Sequence, residues 1–352
     1  MIKRGFIVQT GETNPYRNIA REKLLLDAVP RETCILYLWQ NRQTVVIGRN
    51  QNAWTECRVA ELEGEGGFLA RRLSGGGAVF HDLGNLNFTF LTPQEDYNLE
   101  RQSSVILQAV RNLGIEAEMT GRNDIETGGR KFSGNAFYRG ERNAYHHGTL
   151  LVRADIKAAG RYLSVSREKI LSKGVESVRS RMVNLAECKP DITVPSLAAS
   201  LRAAFAEVYR VKAEELSPEP LSPEPAPSLE DRFPGATARL AELTAWFSSP
   251  QWKYGKNPPF RFKAERRFSW GGADIRFDVE RNRIAGAQIF SDAMDSGFIL
   301  EAAEKLKDCP FEPRAVAEKL AAIDPAHRIE AADIAAMIFE SGEGDAQGQL
   351  VD

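Results

Sequence analysis

The stretch Arg71-Arg72-Leu73-Ser74-Gly75-Gly76-Gly77-Ala78-Val79-Phe80-His81-Asp82 runs through Leu83-Gly84 into Asn85-Leu86-Asn87-Phe88-Thr89-Phe90. Two guanidinium groups precede three consecutive glycines, and the chain then alternates as a strand. Leu86, Phe88 and Phe90 point one way, Asn87 and Thr89 the other. Asp82-Leu83-Gly84-Asn85 reads as a turn joining that strand to the apolar run Ala78-Val79-Phe80. Glycines without Cβ atoms let backbone come close to a ligand and aim several N–H groups at one anion. Arg72 or Arg71 adds a planar donor fork suited to phosphate or carboxylate. The same residues also fit a surface turn with two solvated arginines. No Gly-Lys-Ser/Thr follows, so this is not a Walker loop. A strand and not a helix follows, so it is not a dinucleotide-binding turn either.

Upstream, Asn14-Pro15 predicts a helix, with Asn as cap and Pro in the first turn, to about residue 28. Ile35-Leu36-Tyr37-Leu38-Trp39 and Thr44-Val45-Val46-Ile47-Gly48 read as strands joined by Asn41-Arg42-Gln43. Downstream, 102–113 reads as an amphipathic helix with Ile106, Ala109, Val110 and Leu113 on one face and Gly114 as its stop. Thr149-Leu150-Leu151-Val152 is a buried strand, and a further helix carries Leu197, Leu201, Ala204, Phe205 and Val208. Leu216-Ser217-Pro218-Glu219-Pro220 is repeated at once as 221–225, an extended, solvated loop because proline removes amide donors. After a short helix near 240–247, residues 248–259 read as a linker. The remainder is α+β: Arg267-Phe268-Ser269-Trp270 turns at Gly271-Gly272, strands follow to Phe290, and helices lie near 299–306, 313–322 and 331–340. The expected organisation is a catalytic domain at 1–247 with a Pro-rich loop at 216–228, a linker at 248–259, a small domain at 260–341 and a flexible tail at 342–352.

With 352 residues, the chain is long enough for two domains. Its 46 basic and 48 acidic side chains nearly balance, which argues against a nucleic-acid binder. The apolar run at the N-terminus is too short for a signal peptide, and none approaches the roughly 18 residues that span a bilayer. Cys34, Cys57, Cys188 and Cys309 are far apart. A reduced, cytoplasmic protein without structural zinc is the expectation.

A second polar, glycine-rich cluster holds Gly121-Arg122-Asn123-Asp124, Gly129-Arg130-Lys131-Phe132-Ser133-Gly134-Asn135-Ala136 and His146-His147-Gly148. His81, His146 and His147 thus fall in or beside the two clusters. Adjacent histidines on a strand point to opposite faces and cannot both ligate one metal from it. Lys131, between glycine-rich turns, can set a compact positive charge on a carboxylate and a phosphate together. Position alone favours a solvated hairpin lysine. Asn123 and Asp124 offer oxygen ligands for Mg²⁺ or are simply turn residues. Nucleophilic catalysis finds little support, because neither cluster contains a cysteine and no Gly-x-Ser-x-Gly elbow occurs.

Taken together, these motifs resemble the lipoate–protein ligase A family. The resemblance rests on 71–85, on Gly121-Arg122-Asn123-Asp124, on Arg130-Lys131-Phe132-Ser133-Gly134 and on His146-His147-Gly148-Thr149-Leu150-Leu151. It extends to Ser177-Val178-Arg179-Ser180-Arg181-Met182-Val183-Asn184-Leu185 and Phe268-Ser269-Trp270-Gly271-Gly272, in order along nearly the whole chain. It implies an α/β (α+β) fold: a large mixed-sheet catalytic domain of the biotin/lipoate ligase, class II synthetase-like type, and a smaller α+β C-terminal domain. The implied reaction has two steps. The lipoate carboxylate attacks the α-phosphate of Mg·ATP, giving lipoyl-AMP and pyrophosphate. A lysine of an apo lipoyl domain, on the acyltransferase subunits of 2-oxo-acid dehydrogenases or on the glycine-cleavage H protein, then takes the acyl group and releases AMP.

By motif position the resemblance implies that Arg72, Ser74, Gly75, Gly76, Gly77, Ala78, Val79, Phe80, His81 and His147 bind substrate and ATP. Lys131 would touch both acyl oxygen and phosphate, Asp124 and Asn123 would carry Mg²⁺, and 177–185 would cover the adenylate. Leu73 departs from the small polar residue frequent in relatives. Octanoyltransferases of the superfamily use a cysteine and generally lack the small domain, which separates them from this chain. A lipoyltransferase that needs ready-made lipoyl-AMP, and a non-catalytic lipoate or nucleotide binder, are the remaining alternatives.

Overall fold

The computed structural model describes residues 1–121, 123–163, 181–218, 226–255, 262–280 and 283–340. Residues 177–180 of the expected cover at 177–185, the repeat from 219 to 225, Arg122 and the tail lie outside these. Contacts group the chain into Met1–Ile47 with Ala53–Arg72 and Val79–Lys253, and into Gly48–Asn52 with Leu73–Ala78 and Tyr254–Asp352. The division read from the sequence is contiguous; this grouping is not, because two short segments of the N-terminal half go with the C-terminal residues.

The first unit is built on an eight-stranded mixed sheet. Its strands lie in the order Ala213–Leu216, Arg4–Gln9, Thr33–Trp39, Asn85–Pro93, Asn143–Leu151, Arg130–Arg139, Asp124–Thr127, Glu118–Thr120. The first three are mutually parallel and the others antiparallel. Alternation gives the two faces opposite characters. Leu36, Leu38, Leu86, Phe88, Phe90 and Leu150 enter one core with Val105, Ile106, Ala109 and Val110 of the helix Leu99–Asn112. Leu197, Leu201, Ala204 and Phe205 of the helix Val194–Tyr209 close it. Burying a side chain such as Phe88 or Phe90 contributes about 1.5–3 kcal/mol. The other face meets the helix Pro15–Ala28, whose cap Asn14 accepts from the amides of Tyr16 and Arg17 as the sequence predicts.

The turn after His81 does not make a hairpin. Val79–His81 pairs with Thr44–Ile47, which also pairs in parallel with Phe68–Arg71, forming a separate three-stranded sheet. Asn85–Pro93 instead enters the large sheet between Thr33–Trp39 and Asn143–Leu151. The redirection has a physical cause. Asp82 accepts from the amides of Gly84 (2.8 Å) and Asp155 (2.6 Å), and the Gly84 carbonyl takes the amides of Val152 and Arg153. A Cβ on Gly84 would lie 2.1 Å from the Arg153 carbonyl oxygen, so only glycine allows this docking.

The stretch read as a linker begins with helical structure. The helix Ala236–Ser248 is followed by a second helix at Pro250–Tyr254, and Trp252 is buried. The Trp252 indole donates to the Arg71 carbonyl (2.9 Å), while the Arg71 guanidinium takes the carbonyls of Trp252 and Lys253 at 2.7–3.1 Å. Arg71 is thus spent on binding backbone carbonyls at the end of this helix.

In the second unit, Phe262–Phe268, Gly271–Glu280 and Arg283–Ser291 form an antiparallel sheet. Its core includes Ile275, Ile289, Phe298, Ile299, Val316, Leu320 and Ile334, drawn from the sheet and the helices Ser296–Leu306, Pro313–Ala321 and Arg328–Glu340. The turn sits at Ser269-Trp270 and not at the glycines, because Gly271 and Gly272 are already paired with Phe268 and Arg267. Among the described residues no helix is long and apolar enough to cross a membrane.

Candidate active site

Sheet register assembles a polar surface from residues far apart in sequence. Asp124 lies opposite Gly134, Gly134 opposite Thr149, Thr149 opposite Asn87, and Asn87 opposite Trp39. The neighbouring row runs Ala136, His147, Thr89, Tyr37. These are the positions that alternate away from Phe88 and Phe90, so the polar side chains share the face covered by the helix Pro15–Ala28.

That helix contributes Glu22, which is almost fully buried. Its Oε1 accepts from the His147 ring (2.8 Å) and the Thr89 hydroxyl (2.7 Å), and the Thr89 oxygen accepts from the Trp39 indole (3.1 Å). A buried carboxylate needs such donors to offset its lost hydration. Arg72 is buried beside this group and donates to the Val46 carbonyl (3.0 Å). Burial pulls its guanidinium down to about 10, against the opposing pull of Tyr145 and Glu22. It therefore stays charged at neutral pH. His81 lies near Trp39, with ring centroids 6.1 Å apart. Burial, reinforced by Arg72 and then His147, pulls it to about 3, so it is neutral. Glu22 Oε2, His81 Nε2, Asn85 Oδ1 and Asn87 Nδ2 are buried without a hydrogen-bond partner among the described residues. Polar atoms left unpaired in an interior call for a reason, and a polar substrate taken up beside them would supply one.

Lys131 extends over Gly134: a Cβ on that glycine would lie 3.0 Å from the ammonium nitrogen. The ammonium pairs with Asp124 at 2.7 Å, and each side chain keeps about a third of its exposure (33% and 34%), so the pair is reachable from solvent. Its backbone is fixed by residues 181–183, within the stretch 177–185 expected to cover the adenylate. The Lys131 amide donates to Arg181 (2.6 Å) and the Val183 amide to the Lys131 carbonyl (2.9 Å). Asn123 is more committed than a free turn residue. Its amide nitrogen donates to the Asn135 carbonyl (3.1 Å), and Asn135 returns backbone and side-chain donors to the Asn123 carbonyl (both 2.9 Å). Among the described residues no three His, Cys, Asp or Glu cluster closely enough to hold a metal by themselves.

The triple glycine groups with the second unit, where two of its features have local causes. The Gly76 amide donates to the Ala293 carbonyl (3.0 Å) and the Ser74 carbonyl accepts from Arg49 (2.9 Å). A Cβ on Gly75 would lie 2.2 Å from the Ala293 oxygen and 2.5 Å from that of Met294. Close backbone packing therefore requires glycine at 75, whatever ligand the loop takes. Gly77 has open space around it.

Of the residues singled out from sequence, the first unit brings Arg72, His81 and His147 around one buried polar space and sets Lys131 against Asp124. Val79 and Phe80 pair with Val46 and Val45, and the Phe80 ring stacks on Tyr162 at 5.6 Å. Ser74, Gly75, Gly76, Gly77 and Ala78 belong to the second unit. Sequence reasoning missed Glu22, Trp39, Asn41 and Asn85 as parts of the polar face. The alternation of Asn87 and Thr89 was the available signal, and the polar residues Asn18, Arg21 and Glu22 among the buried positions of one helix were another.

Comparison with known proteins adds independent information. Residues 14–206 match the family described as the lipoyl protein ligase A/B catalytic domain, and 257–338 match the bacterial lipoate protein ligase C-terminus. Lipoate-protein ligase A of Psychrobacter cryohalolentis is 38% identical over 335 residues, 93% of this chain and 95% of that protein. The solved structure of P. falciparum LipL1 in complex with lipoate aligns with a TM-score of 0.79 at 26% identity, over 94% of this chain and 98% of that one. A lipoate-protein ligase A bound with ATP aligns at 0.60 and 23% identity, over 72% of this chain and 99% of that one, which shows a shared fold.

Proposed function

Given that this chain belongs to the lipoate–protein ligase A family and is an enzyme joining lipoate to protein in an ATP-dependent reaction, we propose that Lys131 serves both chemical steps. In the first, an oxygen of the lipoate carboxylate forms a bond to the α-phosphorus of ATP, and the bond from that phosphorus to the pyrophosphate oxygen breaks. Two anions must meet, so cations have to offset their repulsion. In the second, an acceptor lysine amine attacks the acyl carbon, the bond from that carbon to AMP breaks, and the amine loses a proton. The observation that carries this reading is the Lys131 ammonium held over Gly134 by Asp124. A charge fixed there in advance costs no reorganisation when oxyanion charge develops in either step.

Arg72 supplies the second fixed cation. Nucleotide binding falls in this reading to Val79, Phe80 and the Ser74 to Ala78 loop. His147, held by Glu22, belongs to the substrate-binding surface. Mg²⁺ typically takes one or two carboxylates and completes its shell with substrate phosphates and water. The partly exposed Asp124 carboxylate fits that need, with the Asn123 amide beside it; the ion would supply charge neutralisation at the phosphates. Acceptors in this reading are apo lipoyl domains of 2-oxo-acid dehydrogenase acyltransferases and the glycine-cleavage H protein. The four cysteines are unpaired, which suits a reducing cytoplasm.

The test incubates the protein with an apo lipoyl domain, lipoate and Mg·ATP and weighs the domain by mass spectrometry. A mass gain of one lipoyl group, dependent on ATP, is expected. A gain only from ready-made lipoyl-AMP would replace the ligase by a transferase, and tight lipoate binding without any gain would leave a binding protein.

A further inference from the structure

The orientation of a short buried hydrogen-bond chain can be worked out from its carbonyl end. Asn18 Nδ2 donates to the backbone carbonyls of Glu12 (3.0 Å) and Gln40 (2.8 Å), which can only accept, so the identity of that nitrogen is fixed. Its two N–H groups face three acceptors, so one is shared with Asn41 at 3.1 Å, and only an oxygen of Asn41 can face that nitrogen without repulsion, while Asn18 Oδ1 accepts from the Tyr37 hydroxyl (3.1 Å). With its oxygen accepting, Asn41 presents Nδ2 as the donor to His81 Nδ1 at 3.2 Å. The neutral imidazole must then carry its proton on Nε2. Nε2 is buried without a hydrogen-bond partner among the described residues. The described residues thus fix the tautomer of a histidine and include no acceptor for its N–H.

We propose that Asn41 is a positioning residue that holds His81 as a neutral Nε2–H donor to an anionic oxygen of the substrate, the carboxylate of lipoate. This rests on the ligase reading above. A neutral donor suits the site, because the Arg72 charge already acts on the ring and a second full charge beside it would be costly. The charged or titratable groups acting on His81 are Arg72 and His147, and Glu22 is paired with His147. The shared chemistry is an anionic oxygen, and a phosphate oxygen of ATP is the other source.

The decisive substitution is Asn41→Asp, nearly isosteric. It keeps an acceptor for Asn18 but turns the donor facing His81 into an acceptor. The imidazole then places its proton on Nδ1, and Nε2 becomes bare. Taking up one more proton restores Nε2–H, whether that proton resides on the new carboxyl group or on the His81 ring. Lipoate-ligation kcat/KM should therefore fall about 10²-fold at pH 8, the scale of one lost oxyanion donor. It should recover about tenfold towards pH 6 relative to the parent, with the loss in the lipoate terms and KM for ATP unchanged. A rise in KM for ATP instead would move the donor to the nucleotide and overturn the carboxylate assignment. Because the introduced carboxylate is buried, a circular-dichroism melt accompanies the assay. His81→Gln, whose amide donates at every pH, provides the second variant: it should keep activity within about tenfold, and adding Asn41→Asp to it should produce no acid recovery. If Asn41→Asp shows the parent pH profile, or the same recovery persists in the double variant, the proposal is wrong. Absence of ligation by the parent protein would instead defeat the ligase reading.

Discussion

His146 and His147 are neighbours in sequence, yet they face opposite sides of one sheet and meet different chemistry. The His146 ring lies 5.2–5.9 Å from those of Phe88, Phe90 and Phe137, and its Nε2–H donates to Asn135 (2.8 Å). The His147 ring faces a buried carboxylate on a helix. One face of the strand is thus aromatic packing, the other a set of charged and amide groups with unpaired atoms. The comparison teaches that alternation separates stability from chemistry: adjacent residues in sequence serve opposite sides of the sheet. It also predicts that substitutions on the two faces will fail in different ways.

The largest effect belongs to the chemical face. Lys131→Ala should lower turnover by at least about 10³-fold, since one preorganised donor is worth roughly 10²–10³ and the proposed role of this one spans two steps. Its thermal midpoint should barely move, because the Lys131–Asp124 pair is partly exposed and such pairs contribute little. Single-turnover assays of adenylation and of transfer should both be slow. Near-normal turnover would remove Lys131 from the chemistry. On the packing face, Phe90→Ala should cost about 3–5 kcal/mol in urea unfolding, as deletion of a fully buried ring does. The folded fraction should still turn over within a few-fold of the parent.

Acid separates the faces less sharply, because each holds a histidine that burial pulls to about 3, His146 on one and His81 on the other. In the unfolded chain both titrate near 6.5. The unfolded state then binds more protons between those values, so stability is complete above pH 6.5 and is lost as pH falls towards 3. Each contributes a slope of at most about 1.4 kcal/mol per pH unit. His146→Phe should flatten the dependence of the urea midpoint between pH 7 and 5, and an unchanged slope would show that the ring is not held neutral.

How much of this was legible beforehand follows the same division. The helices capped by Asn14 and ended by Gly114, and the alternation of Leu86, Phe88 and Phe90, are local patterns, so the strand and helix readings hold. Strand partnership is not local. Nothing in Val79-Phe80-His81 announces that it pairs with Thr44–Ile47 and not with the strand it leads into, because the Asp82 and Gly84 contacts that redirect it are made by 152–155. The candidate charges Arg72, Lys131 and Asp124 were legible as residue types in glycine-rich turns. Glu22, Trp39 and Asn41 were not, since register and a helix docking on the sheet bring them in. Arg71 shows the converse: in sequence it equals Arg72 as an anion binder, and only the tertiary fold commits it to the carbonyls of Trp252 and Lys253.

The smallest effect is expected where the two faces are linked. Asn135 accepts from His146 on the packing side, and its amide nitrogen donates to the carbonyl of Asn123, next to the Asp124 that holds Lys131. Asn135→Ser removes both side-chain bonds but leaves the Asn135 backbone amide on Asn123, so the turn keeps one of its staples. Stability should fall by about 1–2 kcal/mol, the scale of a buried donor left unpaired. Turnover should fall by less than about tenfold, because Asp124 is displaced only indirectly. If turnover instead collapsed with stability unchanged, the packing face would be setting the position of the charged pair, and the separation by alternation would fail at Asn135.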